Sequence, residues 1–208
     1  MLLGDKKELA QALMDIGAVK FGRFRLKLHE KDPSAPLSPI YIDLCIIRSF
    51  PAHYKALTSV YLSLLNGLRF DYLADVPTAA TFIVALLALE TRKPMVSPRL
   101  DAKSHGLTNS VDGLCEPGKT AVLVDDLITR AESKLEAIQV LKDNGLEVRD
   151  IVVLIDREQG GAHALEERGY RCHAGYRLTE LVSFYAENHM ISREQEEQVL
   201  SYLRSTAR

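Results

Sequence analysis

Apolar residues along this chain recur at two spacings, one helical and one alternating, and the switches between them outline the elements. Over residues 5–16, Leu9, Leu13 and Ile16 return at helical intervals with charged residues between them, which predicts an amphipathic helix. Residues 21–27 alternate aromatic or aliphatic with basic side chains and predict a strand. The Pro- and charge-rich stretch HEKDPSAPLSP interrupts it before Ile40-Tyr41-Ile42-Asp43. The expectation is a small antiparallel elaboration ahead of the main fold.

From residue 52 the order becomes regular. Leu57, Val60, Tyr61, Leu64, Leu65 and Leu68 mark a helix over 52–68, and a short apolar run follows at 70–76. A helix is predicted over 79–90, a strand at Met95-Val96, buried strands over 120–124 and 148–155, and a helix over 132–144. Strand and helix in alternation predict an α/β fold, a parallel sheet with helices on both faces. Two further helices are predicted over 178–188 and 192–204, the second capped by Ser192. The stretch 99–112, polar and carrying Lys103 and His105, is the longest loop candidate, and a loop that long in a compact domain is usually functional or disordered. The whole chain, 1–208, reads as a single domain: N-terminal elements over about 1–50, a core over about 51–177, and C-terminal helices over about 178–208.

Composition narrows the chemistry. The chain has 208 residues, enough to bury a substantial core, and its formal net charge is -2. No global field draws it to nucleic acid or anionic lipid, so any anion it binds must be caught locally. Cys45, Cys115 and Cys172 are odd in number and lack metal-ligand spacing, which suggests a reducing compartment and buried thiols. The first residues carry acids within an amphipathic pattern, unlike a signal peptide, and no apolar run approaches the roughly 20 residues that span a bilayer. The expectation is a soluble, cytoplasmic protein with no nucleic-acid or membrane partner.

The segment TAVLVDDLIT, residues 120–129, is the most informative. An apolar run ends in Asp125 and Asp126, followed by a hydroxyl and then a helix. In open α/β sheets ligands bind beyond the carboxyl ends of the strands, and there a carboxylate pair can accept hydrogen bonds from two sugar hydroxyls or help hold a divalent cation through water. The following helix offers backbone N–H groups to a phosphate. Taken alone, the same two acids are equally consistent with the mere end of a strand and the cap of a helix.

The segments VLVDDLIT, PMVSPRLDAKSHG and VLIDREQGG, with FGRFRLK, SPIYID and VPTAA, resemble the orotate phosphoribosyltransferases, including the corresponding domain of eukaryotic UMP synthase. The resemblance runs in order over roughly residues 16–181. It implies a type I phosphoribosyltransferase fold with a small antiparallel N-terminal hood. It also implies transfer of phosphoribose from phosphoribosyl pyrophosphate (PRPP) to orotate in UMP biosynthesis, with Mg2+ held mainly through PRPP and water near Asp125 and Asp126. The same resemblance assigns Asp125 and Asp126 to the ribose hydroxyls and Thr129, Arg130, Ala131, Glu132 and Ser133 to the 5′-phosphate. Arg99, Lys103 and His105 fall on a mobile loop over pyrophosphate, in this family often contributed across a homodimer interface. Thr78 lies in the loop touching pyrophosphate; Lys27, Thr129 and Arg157 face orotate; Tyr41 lies near the base.

Departures from the family pattern temper these implications. The usual phosphate loop, Thr-Ala/Ser-Gly-Thr/Ser, is here Thr129-Arg130-Ala131-Glu132-Ser133. Loss of the glycine predicts a different loop path at Ala131, and Glu132 is expected to face solvent as an early-helix acid. Leu100 stands where the family commonly has lysine, and residues 28–37 replace and lengthen a short Ser-Gly turn near the base. Two alternatives follow: a phosphoribosyltransferase for another nucleobase, or a sensor of PRPP or nucleotides without turnover.

Overall fold

The computed structural model describes residues 2, 4–26, 28–100 and 110–206. It divides into two compact units, one formed by residues 1–57 with 177–208 and the other by residues 58–176.

The chain opens with α1 (Asp5–Asp15), which buries Leu9, Ala10, Ala12 and Leu13 on one face. The strand expected over 21–27 is β1 (Val19–Phe24), two residues earlier and shorter. After a single helical turn, α2 (Leu28–Lys31), the chain returns in β2 (Ser38–Ile42), antiparallel to β1. Val19 sits opposite Ile42 and Phe21 opposite Ile40. Ile40 and Ile42 are buried, so a one-residue slip would expose them; this sets the register and moves the strand forward. A 3-10 turn, Leu44–Ser49, follows, its first N–H groups met by the Asp43 carboxylate at Cys45 N, 3.2 Å. Cys45 is exposed and Cys115 and Cys172 are partly so, which corrects the expectation of buried thiols. Cys45 stands at the start of a solvent-facing turn instead of on an apolar face.

Next come α3 (Tyr54–Leu65), β3 (Tyr72–Asp75), α4 (Thr81–Thr91), β4 (Met95–Pro98) and β5 (Val111–Asp112). Then follow β6 (Thr120–Ile128), α5 (Glu132–Asp143), β7 (Glu147–Asp156), α6 (Gly161–Glu166) and β8 (Arg171–Arg177). The strands form one six-stranded sheet in the order β5-β4-β3-β6-β7-β8. β4, β3, β6 and β7 are parallel, and β5 is antiparallel to β4. β3, β6 and β7 read as nearly continuous apolar runs because helices cover both faces. Leu73, Leu123, Val152 and Val153 are wholly buried, and α5 lays Ala137, Ile138 and Leu141 on the sheet. The sequence alone did not indicate β5, α6 or β8, all short or of mixed polarity.

The chain then re-enters the first unit through α7 (Leu178–Glu187) and α8 (Arg193–Thr206). Tyr185 on α7 is buried, donates to the Ala10 carbonyl at 2.9 Å and meets Phe21 edge to face. Ser192 caps α8 as expected. Its hydroxyl accepts from Gln195 N, and the Gln195 side chain accepts from Ser192 N, a reciprocal capping box. Among the described residues no helix is long and apolar enough to cross a membrane.

Candidate active site

The order of the strands decides where a ligand can bind. From β3 the chain crosses to β4 on one side, and later enters β6 on the other, so the direction of winding reverses between β3 and β6. At such a switch point the loops leaving two neighbouring strands diverge and open a crevice at their carboxyl ends. β3 ends there with Asp75, whose partner on β6 is Val124, and Val76 N donates to the Val124 carbonyl at 3.1 Å. The next two residues of β6 are Asp125 and Asp126. The strand expected to stop at Val124 runs on to Ile128, because β7 continues to pair with it as far as Ile128 opposite Asp156. The acid pair therefore lies within a hydrogen-bonded strand end, which fixes its backbone.

The two carboxylates occupy different surroundings. Asp125 is only 3% exposed. Its Oδ2 faces the Lys134 ammonium at 2.6 Å, its Oδ1 accepts from Asp126 N at 2.8 Å, and its carbonyl accepts from the buried Tyr61 hydroxyl at 2.9 Å. Asp126 is partly exposed and accepts from Leu127 N at 2.7 Å. Burial, and then the neighbouring Asp125 charge, push the Asp126 carboxyl up to about 7 from its ordinary 3.8. Burial also drives the Tyr61 hydroxyl well above its usual range.

A carboxyl raised in the folded state holds its proton longer there than in the unfolded chain. The fold therefore loses stability as pH climbs from about 4 to about 7. Asp126→Asn, which cannot ionise, is expected to gain several degrees more in Tm over the parent at pH 8 than at pH 5, read by thermal unfolding at both values. Equal gains at the two pH values would show that Asp126 titrates as an ordinary acid.

Beyond β6, Thr129, Arg130 and Ala131 turn the chain into α5. Ala131 is the N-cap with φ -90 and ψ -5, and no side chain caps the helix there. The first-turn N–H groups lack intrahelical acceptors by construction, and a helix N-terminus in that state suits an anion. The different path expected at Ala131 does not arise from strain. Its backbone is ordinary right-handed, so no glycine is required, and its methyl is buried in the core. Glu132 faces solvent as expected, and Arg130 is exposed beside it.

The other expected site residues distribute as follows. Thr78 is exposed in the loop leaving β3, where the peptide bond joining it to Pro77 is cis. Arg99 follows β4; its backbone N donates to the Ser110 carbonyl at 2.8 Å and its Nε to Asp112 at 2.9 Å. Asp112 holds the guanidinium above its ordinary range. Arg157 follows β7 directly, is 4% exposed and donates its backbone N to the Ile128 carbonyl at 2.9 Å. The carboxyl ends of four neighbouring strands thus gather Arg99, Thr78, the acid pair with its turn, and Arg157 along one edge. Tyr41 lies in the other unit, on β2, exposed and packed against Phe24 with ring centroids 5.6 Å apart. Lys27, Lys103 and His105 lie outside the described residues.

No family model matches the chain. Individual proteins do. Over 196 residues it is 35% identical to the orotate phosphoribosyltransferase of Pyrobaculum aerophilum, a match covering 94% of this chain and 97% of that protein. The chain belongs to the orotate phosphoribosyltransferase family. It is also 36% identical over 188 residues to the bifunctional enzyme PyrF/PyrE of Nostoc, covering 90% of this chain and 38% of that one. Among solved structures it resembles Leishmania donovani UMP synthase, with a TM-score of 0.85 and 35% identity over 97% of this chain and 43% of that chain. It spans about two fifths of the length of these two longer relatives.

Three residues of this orotate phosphoribosyltransferase homologue carry no role in the sequence reading. Lys134 is 5% exposed and meets both Asp125 and the Leu127 carbonyl, each at 2.6 Å. A lysine on the stripe it shares with Ala137, Ile138 and Leu141 was the available signal. Asp75 is wholly buried at the end of β3; Thr81 donates to its Oδ2, and its Oδ1 meets no donor among the described residues. Gly161 opens α6 against the site: a Cβ there would lie 2.6 Å from Ile128 Cγ1 and 2.9 Å from the Thr129 carbonyl.

Proposed function

We propose that this chain transfers the phosphoribosyl group of PRPP to N1 of orotate, giving orotidine 5′-monophosphate and pyrophosphate with inversion at the anomeric carbon. The observation that carries this is the acid pair at the β3/β6 switch point, directly ahead of an uncapped helix N-terminus, in a chain of this family. In the proposed complex the Asp125–Asp126 pair accepts the ribose hydroxyls, and the N–H groups of residues 129–133 take the 5′-phosphate. Thr78 and Arg99 meet the pyrophosphate from the loops after β3 and β4. Arg157, a buried cation just beyond β7, suits the orotate carboxylate, to which a guanidinium offers a two-pronged set of donors.

The bond that forms joins orotate N1 to the anomeric carbon, and the bond that breaks frees pyrophosphate. Neither step needs a protein nucleophile. Catalysis rests on holding the two reactants in line and on stabilising the charge that builds on the leaving group. Mg2+ belongs to this proposal. The described residues hold no trio of carboxylate, histidine or cysteine side chains fit to cage a metal, and Asp125 Oδ2 already faces Lys134. With Asp125 Oδ2 so engaged, the acid pair would hold the ion through substrate oxygens and water, and the ion would neutralise pyrophosphate. Lys103 and His105 are proposed to close over pyrophosphate, in their own site or in that of the partner in a cytoplasmic homodimer, excluding water from the reacting carbon.

The test is a Mg2+-dependent assay following loss of orotate absorbance with PRPP, with uracil and purine bases run in parallel and chelator as control. Turnover with orotate alone is the expected outcome. Activity on a purine but not on orotate would move the acceptor to another base, and tight PRPP binding without pyrophosphate release would make the protein a sensor.

A further inference from the structure

The buried ammonium of Lys134 has no part in the chemistry above, yet it is paired with one acid of the site. It lies on the sheet-facing stripe of α5, where its neighbours Ala137, Ile138 and Leu141 are apolar. A leucine or methionine would fill such a position without the cost of taking a cation out of water. What the cation gains is two acceptors on the preceding strand: Asp125 Oδ2 and the Leu127 carbonyl, each 2.6 Å away. These contacts join the last residues of β6 to the first turn of α5 and close the intervening segment, 128–133, into a loop.

That loop holds the N–H groups assigned to the 5′-phosphate. Its start is held by the pairing of Ile128 with β7 and its Ala131 methyl by the core, but no side chain caps the helix at Ala131, and Arg130 and Glu132 are exposed. Asp125 is held at its main chain as well, by the Tyr61 hydroxyl on its carbonyl, so Lys134 on its carboxylate completes a hold on both backbone and side chain of the first acid of the pair. We propose that Lys134 is a positioning residue, bracing the turn between β6 and α5 so that its N–H groups and the adjoining acid pair are set for PRPP. This rests on the function proposed above. Lys134 itself, buried beneath the turn, touches no substrate.

The variant Lys134→Met keeps the length of the side chain and removes the ammonium. In the full-length protein it is expected to raise the KM for PRPP at least tenfold while the KM for orotate stays within threefold. A merely structural lysine would lower Tm and the active fraction, hence the apparent kcat, and leave the KM for PRPP unchanged. A value within twofold of the parent therefore overturns the proposal. Because Lys134→Met leaves the buried Asp125 carboxylate without its counter-cation, Asp125→Asn/Lys134→Met serves as a second variant without that unpaired charge. It is expected to recover Tm but to show a KM for PRPP above that of Asp125→Asn; a value no higher than that single variant's overturns the brace. Titration calorimetry of PRPP against parent and variants separates this proposal from the one it rests on. If the parent binds PRPP without turning it over, the same ratios are read as Kd. If the parent does not bind PRPP, the functional proposal falls and the brace with it; if it binds and Lys134→Met binds equally well, only the brace falls.

Discussion

Asp126→Asn is expected to cut kcat/KM for PRPP by about 10- to 100-fold, and Asp125→Asn/Asp126→Asn by about 10^2- to 10^4-fold. A hydrogen bond to a charged acceptor contributes about 1.5 to 3 kcal/mol, and each asparagine replaces one carboxylate oxygen by a donor that a sugar hydroxyl meets poorly. The single variant is the cleaner probe, since it leaves the Asp125–Lys134 pair intact. The double variant strands a buried ammonium, a change that costs about 3 to 5 kcal/mol in stability, so its loss of activity must be read at a temperature where circular dichroism finds it folded. A folded double variant with parent-like kcat/KM would remove the acid pair from the site.

The second large effect concerns a residue with no side chain. Gly161→Val is expected to lower stability by about 3 kcal/mol and to raise the KM for PRPP more than tenfold. The space is already taken: a bare Cβ would meet Ile128 Cγ1 at 2.6 Å and the Thr129 carbonyl at 2.9 Å. The isoleucine can rotate, but the carbonyl belongs to the backbone of the phosphate turn and moves only if the turn does. Gly161→Ala should fall between parent and valine in both measurements. An unchanged KM for PRPP with a lowered Tm would show that the turn tolerates displacement and that the glycine serves packing alone.

The parallel core was legible because its strands are covered on both faces, so that β6 and β7 announce themselves as apolar runs and α3 and α5 as stripes. The acid pair was legible for the same reason, since polar residues ending an apolar run are conspicuous. β8 was not: Arg171 and His173 make it look like a loop, and they are accommodated because both pair with Asp150 on β7, a contact that no local pattern records. Lys134 escaped notice because a lysine in a helix is ordinarily a surface residue; only its phase relative to Ala137 and Leu141 betrays it. Ala131 looked like an obstacle in the sequence because the expected glycine suggested positive φ. The backbone there takes a conformation open to any residue, so alanine fits this loop without strain.

The division of the chain into units has an architectural consequence. The unit that holds the acid pair is one unbroken stretch, 58–176, whereas the other is assembled from the two flanking portions of the chain. Seen this way the sheet is an insert and the N-terminal ribbon with the last two helices is its host. An additional domain joined at either end would be spliced to the host, with no seam cut into the insert. Proteins in which this chain's counterpart makes up about two fifths of a longer polypeptide, as in Nostoc and Leishmania donovani, are the kind of arrangement such a layout can accommodate.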